Sequence, residues 1–383
     1  MRLHNINVLF QDAKYLASVA LLIVSSTAWA MSPGVAGAAA QVTSKLLYEL
    51  EDNMPVTSLA WSADGRFIAA ASTQDRRIHI WDQAGRRIVH EFTSTAAPSS
   101  FHELAWSPDG KWLVACDGFK GGVLVFDTNM WGAPRKLSNS PDACSQMSFS
   151  DDSSQLAILG GAATIYSTNT WQVLRKLDSS AAIGWTRGKL INAVSYISHT
   201  HTLLLGGAEL VSREGASTSD KEFVGYVWFL GPDEPIPTVE RQVYLREESS
   251  QTGIVVGLAV SPDGSEIATG ANTGSGPPAR MVSDSVHIFR TSDGSMLASP
   301  LDGKGYSNQA GLQYTRDGRY LIVGHGGVRV EHVVHILDTK TYAVVGSVPA
   351  HGTIYDVAIE PSGNAFAVGA GGTISVWTLP PNR

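Results

Sequence analysis

One short pattern recurs along this chain and restricts its fold more than any other feature. It runs as an apolar strand, a Ser/Thr-x-Asp-Gly turn, a second apolar strand, a loop, and a third strand carrying a large apolar anchor. Leu59-Ala-Trp-Ser-Ala-Asp-Gly-Arg-Phe-Ile68, Leu104-Ala-Trp-Ser-Pro-Asp-Gly-Lys-Trp-Leu113 and Leu258-Ala-Val-Ser-Pro-Asp-Gly-Ser-Glu-Ile267 are three copies. Asp-Gly suits a tight turn because Gly accepts positive φ and Asp hydrogen-bonds its own backbone. The anchor of the third strand recurs at Trp81, Phe126, Tyr166, Trp228, Phe289, Leu337 and Trp377, giving seven units.

Repeats this regular predict a stack of equivalent supersecondary units. With strands a to d in each unit, the prediction is an all-β, seven-bladed β-propeller of four-stranded antiparallel blades over residues 45–383. The a–b turns fall at Asp64-Gly65, Asp109-Gly110, Asp152-Ser153, Asp263-Gly264, Asp317-Gly318 and Ser362-Gly363. Blade 4 departs from the pattern and puts His199-Thr200 there. The chain ends on a c-type strand, 373–379, with no d strand after it. Lys45-Leu-Leu-Tyr-Glu-Leu50 reads like the d strands elsewhere, so it is expected to complete the last blade and remove an exposed sheet edge.

Residues 1–30 read as a secretory signal peptide: Arg2 and Lys14 lie in the n-region, Leu16 to Ile23 form the apolar stretch, and Ala28-Trp-Ala30 supplies the cleavage site. The apolar run is shorter than the roughly 20 residues a bilayer span needs, so no membrane segment is expected in the mature chain. Residues 31–44, rich in Ala, Gly and Ser, read as a flexible leader. The product is expected to be periplasmic or secreted. Its formal charge, −7 for the whole chain, makes it a poor nucleic-acid ligand, since that affinity rests on Lys and Arg neutralising phosphates. Cys116 and Cys144 fall toward one face of neighbouring blades. An inter-blade disulfide and two separate buried thiols both fit the sequence.

The b–c and d–a connections emerge on one face of such a ring. Three consecutive blades carry long b–c connections, at 209–223, 271–284 and 324–331, and the d–a link at 178–189 is long too. Trp185, Arg187, Arg213, Glu214, Lys221, Arg280, Asp284, Arg329 and Glu331 lie in them and are the candidate binding residues. Insertions confined to adjacent repeats mark the binding face of a repeat protein.

Recognisable catalytic signatures are scarce. No Gly-x-Ser-x-Gly elbow, Walker loop or dinucleotide fingerprint is present, and no cofactor is called for. His332 and His335 are three apart on a strand and so point to opposite sides. His79, His287 and His335 are equivalent repeat positions dispersed around the ring. His199 and His201 supply two ligands where zinc takes three or four, and no metal is expected.

The repeats are similar to those of the WD40 family over residues 45–383. Trp81-Asp82 matches its Trp-Asp dipeptide, with looser versions at Phe126-Asp127 and Leu337-Asp338. His351-Gly352, before Ile354-Tyr-Asp-Val-Ala358, sits where a repeat's His lies. That His is missing from most blades, and Ser167, Phe229 and Arg290 follow the anchors of blades 3 to 5. The Ser-Pro-Asp-Gly turns also resemble bacterial TolB-type and YVTN-type propellers. The resemblance implies a non-enzymatic surface for protein or peptide partners. The alternative is a propeller hydrolase or lactonase with Glu103, His102, Asp356 and His351 at the channel mouth.

Overall fold

The computed structural model describes residues 44–52, 55–72, 74, 76–94, 101–117, 122–141, 144–160, 163–177, 189–212, 221–231, 239–244, 254–272, 285–301, 309–325 and 332–381. The expected signal peptide and all of the leader but Ser44 lie outside these residues. Among the described residues, twenty-eight strands form seven four-stranded antiparallel sheets. After β1 (Leu46–Glu51), blade 1 is β2 (Val56–Trp61), β3 (Phe67–Ser72), β4 (Arg77–Asp82) and β5 (Arg87–Thr93). Blade 2 is β6 (Phe101–Trp106), β7 (Trp112–Asp117), β8 (Gly122–Asp127) and β9 (Arg135–Lys136). Blade 3 is β10 (Gln146–Phe149), β11 (Gln155–Leu159), β12 (Ala163–Ser167) and β13 (Val173–Leu177). Blade 4 is β14 (Lys189–Tyr196), β15 (Leu203–Ser212), β16 (Lys221–Leu230) and β17 (Val239–Tyr244). Blade 5 is β18 (Ile254–Val260), β19 (Glu266–Asn272), β20 (Ser285–Arg290) and β21 (Met296–Ala298). Blade 6 is β22 (Gln309–Tyr314), β23 (Tyr320–His325), β24 (Val333–Asp338) and β25 (Val344–Pro349). Blade 7 is β26 (Ile354–Ile359), β27 (Ala365–Ala370) and β28 (Thr373–Thr378), with β1 as its outer strand.

Leu46 pairs with Trp377 and Glu51 with Thr373, so the first strand supplies the d position of the last blade. Thr378 N–H donates to the Lys45 carbonyl at 2.9 Å and extends the seam by one residue. Beyond the other end of β1, buried Asp52 accepts from His79 Nδ1 at 2.9 Å and from Trp81 Nε1 at 3.0 Å. That contact fastens the end of the strand to blade 1.

The repeated turn motif has a local cause. In blade 1 the Ser62 hydroxyl donates to Asp64 at 2.6 Å and accepts the Phe67 N–H at 2.8 Å, while Asp64 also accepts the Arg66 N–H at 3.0 Å. The same triangle recurs on Asp109, Asp152, Asp263 and Asp317. One residue per turn takes positive φ, from Gly65 at 74° to Gly363 at 74°, and blade 4 makes the same bend with His199 at 63°. The missing signature there changes the residue, not the turn.

Packing occurs at the seams between blades. Each of the seven buried clusters joins two neighbouring blades: Ile78 and Ile80 meet Leu113 and Phe126, and Leu59 and Ile68 meet Ile374 and Val376. Six of the strand-c anchors are buried, while Trp377 is half-buried against the seam of blades 6 and 7. Burying one such side chain contributes about 1.5–3 kcal/mol. Cys116 and Cys144 are joined across blades 2 and 3, with Cα atoms 5.8 Å apart.

Candidate functional site

Of the nine candidate binding residues, Trp185, Arg187, Arg213, Glu214, Arg280, Asp284, Arg329 and Glu331 lie outside the described residues. Lys221 opens β16 and is paired with Ser212. That pairing corrects the reading of 209–223 as a connection. β15 and β16 form a ladder of ten pairs, from Leu203↔Leu230 to Ser212↔Lys221, whereas the b and c strands of blade 7 make six. Polar Glu209 and Glu222 read as loop residues in sequence, yet each is held in the ladder, opposite Val224 and Val211. Inner strand β14 lengthens in step, reaching Lys189↔Glu209. The four added pairs carry the hairpin about 13 Å further at roughly 3.3 Å per residue.

The inner strands adjoin one another in ring order, with β26 returning to β2, and their free edges face the central bore. Unpaired backbone N–H groups are costly in such a place. Side chains from the preceding blade satisfy several of them. Asp356 Oδ2 accepts the Leu59 N–H at 2.8 Å and the Ser58 hydroxyl at 3.2 Å. Ser58 Oγ accepts the Leu104 N–H at 3.0 Å. Gln146 takes the Val194 N–H at 2.9 Å and Gln313 the Ile359 N–H at 3.2 Å.

Glu103 occupies the same column on β6 but caps nothing among the described residues. Burial pushes its carboxyl well above the usual range, and the charge of Asp356 adds to the shift. Burial likewise pushes Asp356 up to about 6, against the lowering effect of its hydrogen bonds from Leu59, Val357 and Ser58. The two carboxyls therefore act on each other electrostatically, and Ser58 links Asp356 to the Leu104 N–H, next in chain to Glu103. The other two residues of the enzyme reading sit elsewhere. His351 is exposed and bonds Glu49 on β1 at 2.8 Å, and His102 is exposed over much of its surface, with partial desolvation lowering its pKa. Only Glu103 and Asp356 of the four form one electrostatic site.

A cavity of about 1120 Å³ opens where the a strands end, with wall residues from all seven blades. Trp61, Trp106, Tyr314 and Ile359 form its sides, while Pro108, Pro262 and Pro361 stiffen its rim. Asp151 and Asp152 line it too, and the blade-4 turn brings His199 and His201 against them: Asp151 accepts the His199 N–H at 2.8 Å and Asp152 lies 3.2 Å from His201 Nε2. Hydrogen bonds from Ser150 and Ser154 hold Asp152 far below the usual carboxylate range despite the opposing effect of burial. Exposed Arg316 is the one Lys or Arg among the cavity-lining residues. Sequence reading missed this funnel. Its residues flank the turn serine or its counterpart in each repeat, but only the closed arrangement of inner strands shows that they meet.

The family model described as WD domain, G-beta repeat matches residues 44–82, 88–127 and 342–378. Each match runs d–a–b–c, so the sequence unit is offset from the blade in the way that β1 requires. Actin-interacting protein 1 of Drosophila melanogaster is 35% identical over 65 residues, which is 17% of this chain and 10% of that protein. Protein HIRA of Dictyostelium discoideum is 28% identical over 96 residues, 22% of this chain and 8% of that protein. The chain thus spans a tenth or less of the length of these relatives. Among the described residues, no three His, Cys, Asp or Glu side chains gather as metal ligands, and no helix is long and apolar enough to cross a membrane.

Proposed function

This chain is a seven-bladed β-propeller that carries WD40 repeats, and we propose that it acts as an exported, non-enzymatic scaffold. It holds a protein or envelope component on the face where the connections of blades 4 to 6 emerge. The observation that carries this reading is the ten-pair ladder of blade 4, which extends that blade four pairs beyond the six of blade 7. A strand pair held in register presents a partner with a stiffer edge than a loop, which reduces the ordering cost of binding. The actin-interacting name of one relative, which belongs to that protein alone, supports the general class of protein binding. The apolar stretch Leu16 to Ile23, ahead of Ala28-Trp-Ala30, supports export, with cleavage after Ala30.

The test is to replace residues 213–220 with an Asn-Gly turn that closes the ladder after Ser212↔Lys221. Thermal unfolding is expected to match the parent, while capture of partners from the native envelope falls. Equal capture by both forms overturns the assignment of this face. Amino-terminal sequencing of the protein made in its own cells checks export, and a chain that begins at Met1 outside the cytoplasm contradicts cleavage.

A further inference from the structure

We propose that His79 works as a proton-operated latch on the closing strand. Its imidazolium, clamped between Asp52 and Glu91, holds the end of β1 to blade 1, and loss of one proton loosens that end. The inference rests on how the ring closes and is independent of the scaffold reading above.

Both nitrogens of this ring face carboxylates. His79 lies on β4 and is 5% exposed. Its Nδ1 is 2.9 Å from Asp52 Oδ1, and its Nε2 is 3.4 Å from Glu91 Oε2, an ion-pair distance. Trp81 Nε1, which can only donate, takes the other Asp52 oxygen at 3.0 Å. A neutral imidazole carries a proton on one nitrogen, so it turns a lone pair toward one of the two carboxylates. The doubly protonated ring donates to both. Arg77 is the base beside this group, its Nε 3.8 Å from Glu91 Oε1. It opposes the charge on the ring, but the two acids meet the ring directly.

Other histidines of the fold lack this double contact. In blade 6, His335 pairs in register with Ser347 as His79 does with Glu91, and its Nδ1 is 2.7 Å from the Ser347 hydroxyl. A hydroxyl donates or accepts, so it serves either state of the ring. His351 also holds β1, with Nε2 2.8 Å from Glu49 Oε1, but that exposed contact needs a single N–H. The proton-dependent hold therefore belongs to the seam of blade 1. Its sign follows from linkage. Two acids favour the charged ring in the folded chain, so the hold is complete below the ordinary imidazole range near about pH 6.5 and is lost as pH rises through the folded transition.

The test follows amide exchange in the full chain at about pH 5.5 and about pH 8.5, corrected for the intrinsic pH dependence of exchange. Protection of Leu46–Glu51, taken relative to β2 and β3, is expected to fall about tenfold or more at the higher pH. The ratio cancels effects that act on the whole ring. His79→Gln, which keeps one N–H for Asp52, is expected to remove the pH difference, whereas His351→Gln is expected to retain it. Glu91→Gln, on the exposed side of the clamp, is expected to move the response to lower pH. Nitrogen NMR of the unmodified chain is expected to show His79 protonated at both ring nitrogens at about pH 7, and this reading needs no variant to fold. A neutral His79 ring at that pH overturns the proposal, as does equal relative protection at both pH values or a pH response that survives in His79→Gln. The variant trimmed at 213–220 is expected to keep the response, so this inference and the scaffold reading fail separately.

Discussion

Asp356 and Leu59 lie on blades at opposite ends of the repeat array, yet Asp356 Oδ2 accepts the Leu59 N–H at 2.8 Å. The same oxygen receives the Ser58 hydroxyl, which in turn accepts the Leu104 N–H, so one relay crosses blades 7, 1 and 2. Ser58→Ala removes the middle of it. The Leu104 N–H then loses its acceptor and Asp356 one of its donors, at an expected cost of about 1–3 kcal/mol. Urea unfolding of the variant checks this, and a midpoint equal to the parent's contradicts it.

Repeat architecture was readable because it is local. Ser62, Asp64 and Gly65 close a turn with partners no more than five residues away, and the copies of that triangle declare themselves one by one. Strand β1 was readable as a spare d strand because 373–379 visibly lacked one. The relay through Asp356 was not, because its partners lie 297 and 298 residues away and depend on how inner strands align across a seam. Blade 4 misled for a different reason. Glu209 and Glu222 are polar enough to suggest a loop, but cross-strand pairing depends on register with a partner strand that single-sequence polarity does not report.

Close approach at the seams makes Gly369 sensitive. A Cβ added there meets Val56 Cγ1 at 2.8 Å and Leu59 Cδ1 at 3.2 Å, both in the packed seam between blades 7 and 1. Gly369→Ala is therefore expected to destabilise by about 1–3 kcal/mol through overpacking. Pairing the change with Val56→Ala is expected to recover part of the loss. A double variant no more stable than the sum of its single changes removes the steric explanation.

The acid pair imposes its own pH dependence. Glu103 and Asp356 have raised folded pKa values, Asp356 reaching about 6, so the folded chain holds these protons after the unfolded chain has released them. Their effect is absent below the unfolded carboxyl range near pH 4, and destabilisation grows as pH rises through 6. A tenfold difference in proton affinity between the folded and unfolded chains corresponds to about 1.4 kcal/mol. The turn carboxylates Asp64, Asp109 and Asp263 are lowered and act in the opposite sense, losing stability on acidification. Glu103→Gln is thus expected to raise the unfolding temperature at pH 8 and to change little at pH 4. A uniform shift across that range contradicts this direction.

Asp52 governs how firmly the first strand is held. It is 6% exposed and takes both His79 Nδ1 and Trp81 Nε1, while its own N–H reaches the Gly372 carbonyl at 2.8 Å. Asp52→Ala keeps the backbone contact but leaves a buried imidazole and a buried indole N–H without their acceptor. The expected cost is about 2–4 kcal/mol, since an orphaned buried donor keeps its full desolvation penalty. Because the contact lies next to the end of β1, the loss is expected first as local opening of blade 7. Amide exchange along Leu46–Glu51 should accelerate at denaturant concentrations where β2 and β3 remain protected. If exchange instead rises equally in all the blades, the first strand is an integral part of one cooperative unit, and Asp52 acts on the whole ring.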